Sequence, residues 1–181
     1  MVNSTLPILL KNPQILLIGG GKVALQKAKV LYDNEICFRV ITDVCLEEMY
    51  TFCADIQLKC FEIEDVKDFF IIIDATGAKE VTDALIEYKK EHRVLLNVVD
   101  RPELCDFYFM ALTKNRALQI AVSSNGSSPT AAQYFRDECE ALIPENISEY
   151  LKKKKEEREK GVIDKEATKE ELKALNNSRN L

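Results

Sequence analysis

Histidine is nearly absent from this 181-residue chain: His92 is the only one. A multi-histidine metal site is therefore excluded within one chain, and a Ser-His-Asp triad would have to be built on that single residue. The six cysteines (Cys37, Cys45, Cys53, Cys60, Cys105 and Cys139) contain no C-x-x-C pair and match no zinc spacing. They are expected to be free thiols, several of them buried. No apolar run reaches the length of a membrane span. The N-terminus lacks a basic stretch followed by an apolar segment and a small-residue cleavage site. The protein is thus expected in the cytoplasm, without a membrane partner. Positive charge is scarce over residues 1–150, where 15 Lys/Arg stand against 23 Asp/Glu. Phosphate backbones need net positive potential, so a broad nucleic-acid surface is not expected. Residues 151–181 reverse the balance, with ten Lys/Arg against seven Asp/Glu. No internal repeat is present.

What the chain has is aliphatic residues in short runs. Hydrophobic residues make up 46% of it, enough to bury a core. A hydrophobic segment at 6–10 and a turn at Pro13 lead into residues 14–18, which read as a buried strand ending at Gly19-Gly20-Gly21. Residues 22–32 have helical spacing. Strand 37–41, helix 46–53, strand 56–61, strand 69–73, helix 79–91 and strand 94–99 follow. Strands aliphatic on both faces and alternating with helices predict a parallel sheet covered on both sides, a Rossmann-like α/β fold. Ligands on such sheets sit at the carboxyl ends of the strands. Three of those ends carry unusual residues: Gly19 to Gly21, Asp74 to Gly77, and Asn97 to Asp100.

After Asp100 the pattern changes. Residues 107–112 and 117–123 read as an antiparallel hairpin. A loop at 123–129 leads into a helix reaching about Leu142, with Ser128 as N-cap and Pro129 at the first helical position. The remainder reads as two charged helices, 150–160 and 165–175, separated by Gly161. The expected division is residues 1–100, 101–144 (a smaller α+β module) and 145–181. The lysine run 152–155 reads either as a solvated helix face or as a contact for acidic partners.

Gly19-x-Gly21-x-x-Ala24, between a buried strand and a helix, has the form of a dinucleotide fingerprint. Gly19 permits the tight turn, Gly21 lets the backbone approach a pyrophosphate, and Ala24 lets the helix pack close to the sheet. The N–H groups of Lys22 and Val23 open the helix and point at the anion. Asp43 lies at the end of the second strand, where a carboxylate accepts from the ribose 2′-OH of NAD and repels the extra phosphate of NADP. Lys22 and Arg39 are nearby cations that keep NADP open, and FAD or S-adenosylmethionine sites share parts of the signal.

Taken in order, these residues resemble the siroheme synthase N-terminal family, over about residues 6–144. The resemblance rests on Leu6-Pro7-Ile8, on Ile18-Gly19-Gly20-Gly21-Lys22-Val23-Ala24 with Lys27-Ala28, and on Ala75-Thr76. Its most specific segments are Asn97-Val98-Val99-Asp100 and Val122-Ser123-Ser124-Asn125-Gly126-Ser127-Ser128-Pro129. The family loop usually reads Ser-Ser-Gly-Gly, whereas here Ser124 is followed by Asn125-Gly126, and Asn also tolerates positive φ. The resemblance implies NAD-dependent oxidation of precorrin-2 to sirohydrochlorin. In some members it also implies insertion of Fe²⁺ or Co²⁺, as substrate, into sirohydrochlorin. It implies a catalytic role for Asp100, cofactor contacts at Lys22, Val23, Asp43 and Val44, and a homodimer formed through the second module. The nicotinamide is then expected near Thr76, Gly77 and Asp100. Asp100 would act as general base or bind pyrrole N–H groups. Ser124, Asn125, Gly126, Ser128 and Arg136 are the expected donors to the carboxylates of the tetrapyrrole. Cys105 and Asp106 read as a surface turn or, with a metal substrate, as transient ligands. The competing readings are a dehydrogenase without chelatase activity and a non-catalytic NAD-responsive regulatory domain.

Overall fold

The computed structural model describes residues 4–6 and 8–177; Pro7 of the Leu6-Pro7-Ile8 segment and residues 178–181 lie outside it. Five parallel strands form the main sheet: β1 (Ile15–Ile18), β2 (Arg39–Thr42), β3 (Ile56–Leu58), β4 (Ile71–Asp74) and β5 (Leu95–Val98). Their order is β3-β2-β1-β4-β5, so the connection reverses direction between β1 and β4. That reversal opens the crevice in which α/β sheets bind ligands. The Rossmann-like expectation holds.

The sheet is two-faced because alternate residues point to opposite sides. Ile15, Leu17, Val40, Ile71 and Ile73 pack beneath α1 (Lys22–Asp33), with Ala24, Leu25, Ala28 and Leu31. Leu16, Ile18, Ile41, Ile72, Leu96 and Val98 pack against Leu85 of α3 (Lys79–Glu91) and Val66 of a 3₁₀ turn at Ile63–Val66. Leu16, Leu17, Ile72 and Ile73 have no exposed surface, as expected of strands covered on both faces. Helix α2 (Met49–Phe52) is shorter than the sequence suggests, since residues 46–51 close i→i−3 turns, Met49 N to Leu46 O, Tyr50 N to Glu47 O and Thr51 N to Glu48 O. Residues 6 and 8–10 form neither helix nor strand, and their side chains are exposed.

The chain divides into two compact units between Phe109 and Met110. The second unit contains β6 (Ala111–Leu112) paired antiparallel with β7 (Ala121–Val122), then α4 (Pro129–Ala141), α5 (Ile147–Glu159) and α6 (Lys165–Asn177). The hairpin is much shorter than expected, with two paired residues on each strand. In α5, the ammonium of Lys154 bonds Glu157 and reaches across to Glu171 of α6, and Tyr150 Oη donates to Glu171 at 3.1 Å. Lys153 faces the same two glutamates at 3.6 and 3.9 Å. Half of the 152–155 lysine run is thus spent inside the helical pair. Among the described residues, no helix is long and apolar enough to cross a membrane.

Candidate dinucleotide and substrate site

The glycine loop sits at the carboxyl end of β1 and is held there by sterics. Gly19 has φ +115°, and a Cβ on it would stand 2.8 Å from Ala75 O, so only glycine fits. Gly20 is tighter still: its Cβ would lie 2.2 Å from Val44 O and 2.6 Å from Cys45 Cα. Gly21 is the opposite case, with φ −80° and nothing within 4 Å of its Cβ position. It is the N-cap of α1. The helix has no side-chain cap and no acidic residue in its first turn, and its first backbone bond runs from Leu25 N to Gly21 O. The N–H groups of Lys22 and Val23 thereby face the loop without a helical acceptor. Open space before uncapped donors fits a pyrophosphate.

The β2 end supplies the carboxylate. Buried Thr42 donates through Oγ1 to Val44 O at 2.7 Å, and Asp43 Oδ1 accepts from Val44 N at 2.9 Å. Asp43 and Val44 are both exposed at this turn, beside the Gly19 N–H, which bonds Ile41 O. Arg39 is placed otherwise than expected. It is the first residue of β2, roughly 13 Å along the strand from Asp43 at ~3.3 Å per residue. Its Nε donates to Asp55 at 2.8 Å, so it is no neighbour of the ribose position.

At the β4 end, the Asp74 side chain is buried and fully occupied. Oδ1 accepts from Thr76 N (3.0 Å) and Thr76 Oγ1 (2.6 Å), and Oδ2 from Thr82 Oγ1 (2.6 Å). Thr76 Oγ1 in turn accepts from Ala78 N at 3.0 Å, and Gly77 turns the chain at φ +68°. Sequence reasoning gave Asp74 no role. Its signal was a lone acid closing an otherwise all-aliphatic strand.

Asp100 follows β5 in the left-handed region at φ +61°, exposed. With Gly77, Lys79, Thr82, Val98, Val99 and Arg101 it lines a cavity of about 290 Å³. The β4 and β5 ends therefore open onto one space, with Gly77 and Asp100 on its wall. The turn carrying Asp100 is tied back to β5. Asn97 Nδ2 donates to Phe107 O at 2.9 Å, and Cys105 Sγ lies 3.3 Å from Val98 N and 3.2 Å from Val98 O. Burial pushes the Cys105 thiol up from its ordinary pKa. Asp106 Oδ2 accepts from Leu96 N at 2.9 Å, and its Oδ1 pairs with Lys89. Cys105 and Asp106 are clamps of this turn rather than a loose surface loop. Among the described residues no cluster of three metal-binding side chains occurs. The cysteines are free, but only Cys53 is buried; Cys37 and Cys60 are exposed and the other three intermediate.

In the second unit, Ser128 caps α4 by accepting from Ala131 N at 3.2 Å, with Pro129 at the first helical position, as expected. Ser124 Oγ accepts from Ser128 N at 2.9 Å. Both hydroxyls act as acceptors within the loop and keep a proton to donate. Asn125 (φ +55°) and Gly126 (φ +82°) are consecutive left-handed residues, so the Asn preserves the turn. Arg136 Nε donates to Asp137 at 2.6 Å.

A family profile described as "Putative NAD(P)-binding" matches residues 6–111, and one described as "Sirohaem biosynthesis protein central" matches 115–142. The chain belongs to the siroheme synthase N-terminal family. Relatives include the siroheme synthase of Methylococcus capsulatus, 36% identical over 77% of this chain and 31% of that protein. That of Neisseria meningitidis serogroup C is 30% identical over 75% and 29%. The chain thus spans about a third of the length of these curated relatives. A solved structure of SirC, a precorrin-2 dehydrogenase, shares the fold at a TM-score of 0.66, with 20% identity, covering 96% of this chain and 89% of that one. The glycine loop, the Asp43 turn and the cavity at Asp100 all lie within residues 6–111, the stretch that the first of these profiles matches.

Proposed function

We propose that this chain oxidises precorrin-2 to sirohydrochlorin with NAD⁺, in cytoplasmic siroheme biosynthesis. One observation carries the reading: Asp100 and Gly77 line one cavity on the strand-end edge that also bears the glycine loop. A domain that only senses NAD needs the loop and Asp43, but no carboxylate at the β5 end. The names of the relatives, siroheme synthase and precorrin-2 dehydrogenase, point the same way.

NAD⁺, when bound, supplies the hydride acceptor. The chain's residues do the rest. Gly21, Lys22 and Val23 offer space and N–H groups to the pyrophosphate, and Asp43 and Val44 meet the ribose. Gly19 fixes the turn, and Thr76 and Gly77 shape the edge beside Asp100. The displacement of Arg39 leaves Asp43 without that cation, which favours NAD over NADP. Oxidation removes a hydride and a proton from the macrocycle. Asp100 takes the proton as general base, or orients the ring through its pyrrole N–H groups. Ser124 and Ser128 hydroxyls, the Asn125–Gly126 turn and Arg136 serve the substrate's carboxylates. On α4, Tyr134 and Phe135 are 60% and 58% exposed and meet edge to face at 5.4 Å. Solvent is an unusual place for two adjacent aromatic rings, which supports a homodimer through this unit.

Anaerobic incubation with precorrin-2 and NAD⁺ tests the reading, following NADH and the sirohydrochlorin spectrum, with and without Fe²⁺ or Co²⁺ as substrate. NAD-dependent formation of sirohydrochlorin is expected. Asp100→Asn tolerates the left-handed backbone and removes the charge; it should fold, bind NAD⁺ and turn over roughly a hundredfold slower or worse. Wild-type turnover by Asp100→Asn would remove the base from the mechanism. No turnover by folded, NAD-binding wild type would return the chain to the regulatory reading.

A further inference from the structure

Lys27 is the lysine that α1 does not turn to solvent. Lys22 and Lys29 on the same helix are exposed, whereas Lys27 is half-buried. Its ammonium lies 4.9 Å from the centroid of the Phe109 ring, and Phe109 meets Phe107 edge-on at 5.5 Å. Both rings pack on the apolar layer beneath α1. The two cations on the cavity wall beside Asp100 are already matched, Arg101 by Glu103 at 2.6 Å and Lys79 by Asp83 at 3.5 Å. Among the described residues, no carboxylate forms an ion pair with Lys27. Burial pushes its pKa down from the ordinary lysine value, against the weaker pull of Cys105 and Asp100. An ammonium drawn partly out of water without a bridging carboxylate costs stability. A methionine would cover the same two rings without that cost. The charge is therefore better explained by something that arrives than by the fold itself.

We propose that Lys27 is a further substrate-binding residue, receiving a carboxylate of the tetrapyrrole on the α1 face, at the Phe107–Phe109 segment that Asn97 ties to β5. The inference rests on the dehydrogenase reading and adds to it. Lys27 supplies a fixed positive charge inside the first unit. A carboxylate settling there completes an ion pair in partly desolvated surroundings, where the attraction exceeds that of a surface pair. The Phe109 face steadies the ammonium meanwhile.

The test uses the full chain and uroporphyrin, a stable carboxylate-rich tetrapyrrole, titrated by fluorescence quenching, with NAD⁺ titrated separately. Lys27→Met should weaken uroporphyrin binding by about tenfold or more. It should leave NAD⁺ affinity unchanged and the melting temperature equal or raised, because a half-buried charge has gone. Lys27→Arg keeps the charge and should stay within about threefold of wild type. Uroporphyrin bound as tightly by Lys27→Met as by wild type overturns the proposal, as does a Lys27→Arg protein that binds no better than Lys27→Met. If wild type binds NAD⁺ yet neither binds uroporphyrin nor oxidises precorrin-2, the dehydrogenase reading falls and takes this inference with it.

Discussion

The carbonyl of Gly20 accepts the N–H of Leu46 at 3.0 Å, which locks the glycine loop onto the turn after β2. The fingerprint Gly19-x-Gly21-x-x-Ala24 leaves position 20 open to any residue. Here it is the most confined of the three glycines, because the Asp43–Leu46 turn is pressed against it.

That contact separates fold from binding. Gly20→Ala must push a methyl group into the Val44 carbonyl and should cost about 3 kcal/mol, measured by denaturant unfolding. Gly21→Ala has an ordinary φ and open space, so it should unfold within about 1 kcal/mol of wild type while losing NAD⁺ affinity by about tenfold or more, its methyl standing where the pyrophosphate belongs. Equal stability of the two variants would contradict the packing described.

Asp43 makes a prediction about cofactor choice. Asp43→Asn keeps an acceptor for Val44 N but loses the charge. It should weaken NAD⁺ by roughly tenfold and narrow the gap to NADP⁺, as titration with both cofactors would show. An unchanged ratio of the two affinities would mean that the carboxylate does not meet the ribose.

Asp74 and Thr82 should behave as one unit. Asp74→Ala removes the acceptor of Thr76 N and Thr76 Oγ1 and leaves Thr82 Oγ1 only the Ala78 carbonyl at 3.2 Å, and should cost about 3 kcal/mol. Thr82→Val should cost about 1–2 kcal/mol. The double variant should be less destabilised than the two single effects added together, and strict additivity would show that the bond at 2.6 Å contributes nothing.

Acid stability has a candidate in Asp65. Burial pushes its carboxyl up, but the Lys59 ammonium at 2.7 Å and the Glu62 N–H at 2.9 Å hold it, on balance, below the usual value. A carboxyl depressed in the fold contributes stability that is present above its unfolded pKa and is lost as pH falls through the folded one. Asp65→Asn should therefore be less stable than wild type at neutral pH, and the difference should shrink between roughly pH 4 and pH 2. Melting temperatures across that range would measure it.

The five parallel strands, α1 and α3 were legible because short apolar runs alternating with helical spacing have few other arrangements to adopt. The Ser128–Pro129 helix start was equally plain, because a cap is a local device. The hairpin was not. Residues 107–112 and 117–123 have strand composition, but their backbone groups are claimed elsewhere. Asn97 takes Phe107 O, Glu140 accepts from Lys114 N and Asn115 N, and Asn115 Oδ1 accepts from Ala117 N and Leu118 N. The regular ladder keeps two residues on each side, and beyond it Thr113 N bonds Ile120 O at 3.0 Å while Ile120 N turns to the Thr113 hydroxyl. Asn97 and Glu140 lie too far away in sequence to register in a periodicity, whereas Asn115 competes from within the turn itself. The 3₁₀ turn at Ile63–Val66 did carry a readable signal, Glu62 and Asp65 at capping-box spacing, with each side chain bonding the other's backbone. In the site, the motif glycines and Asp43 could be read directly. Asp74 and Lys27 were in view but without roles, since burial and missing partners are properties of three dimensions.

Asp106 also settles the outer boundary of the sheet. β5 is a terminal strand, and such strands offer their unused backbone groups to any passing extended chain. Here Leu96 gives its N–H to the Asp106 carboxylate and its C=O to the Asp106 N–H at 2.8 Å. A single residue thus occupies the seat of a sixth strand and leaves the row no place to continue at its middle. The polymerising tendency of an open β edge is quenched from within the same chain, a few residues beyond Asp100.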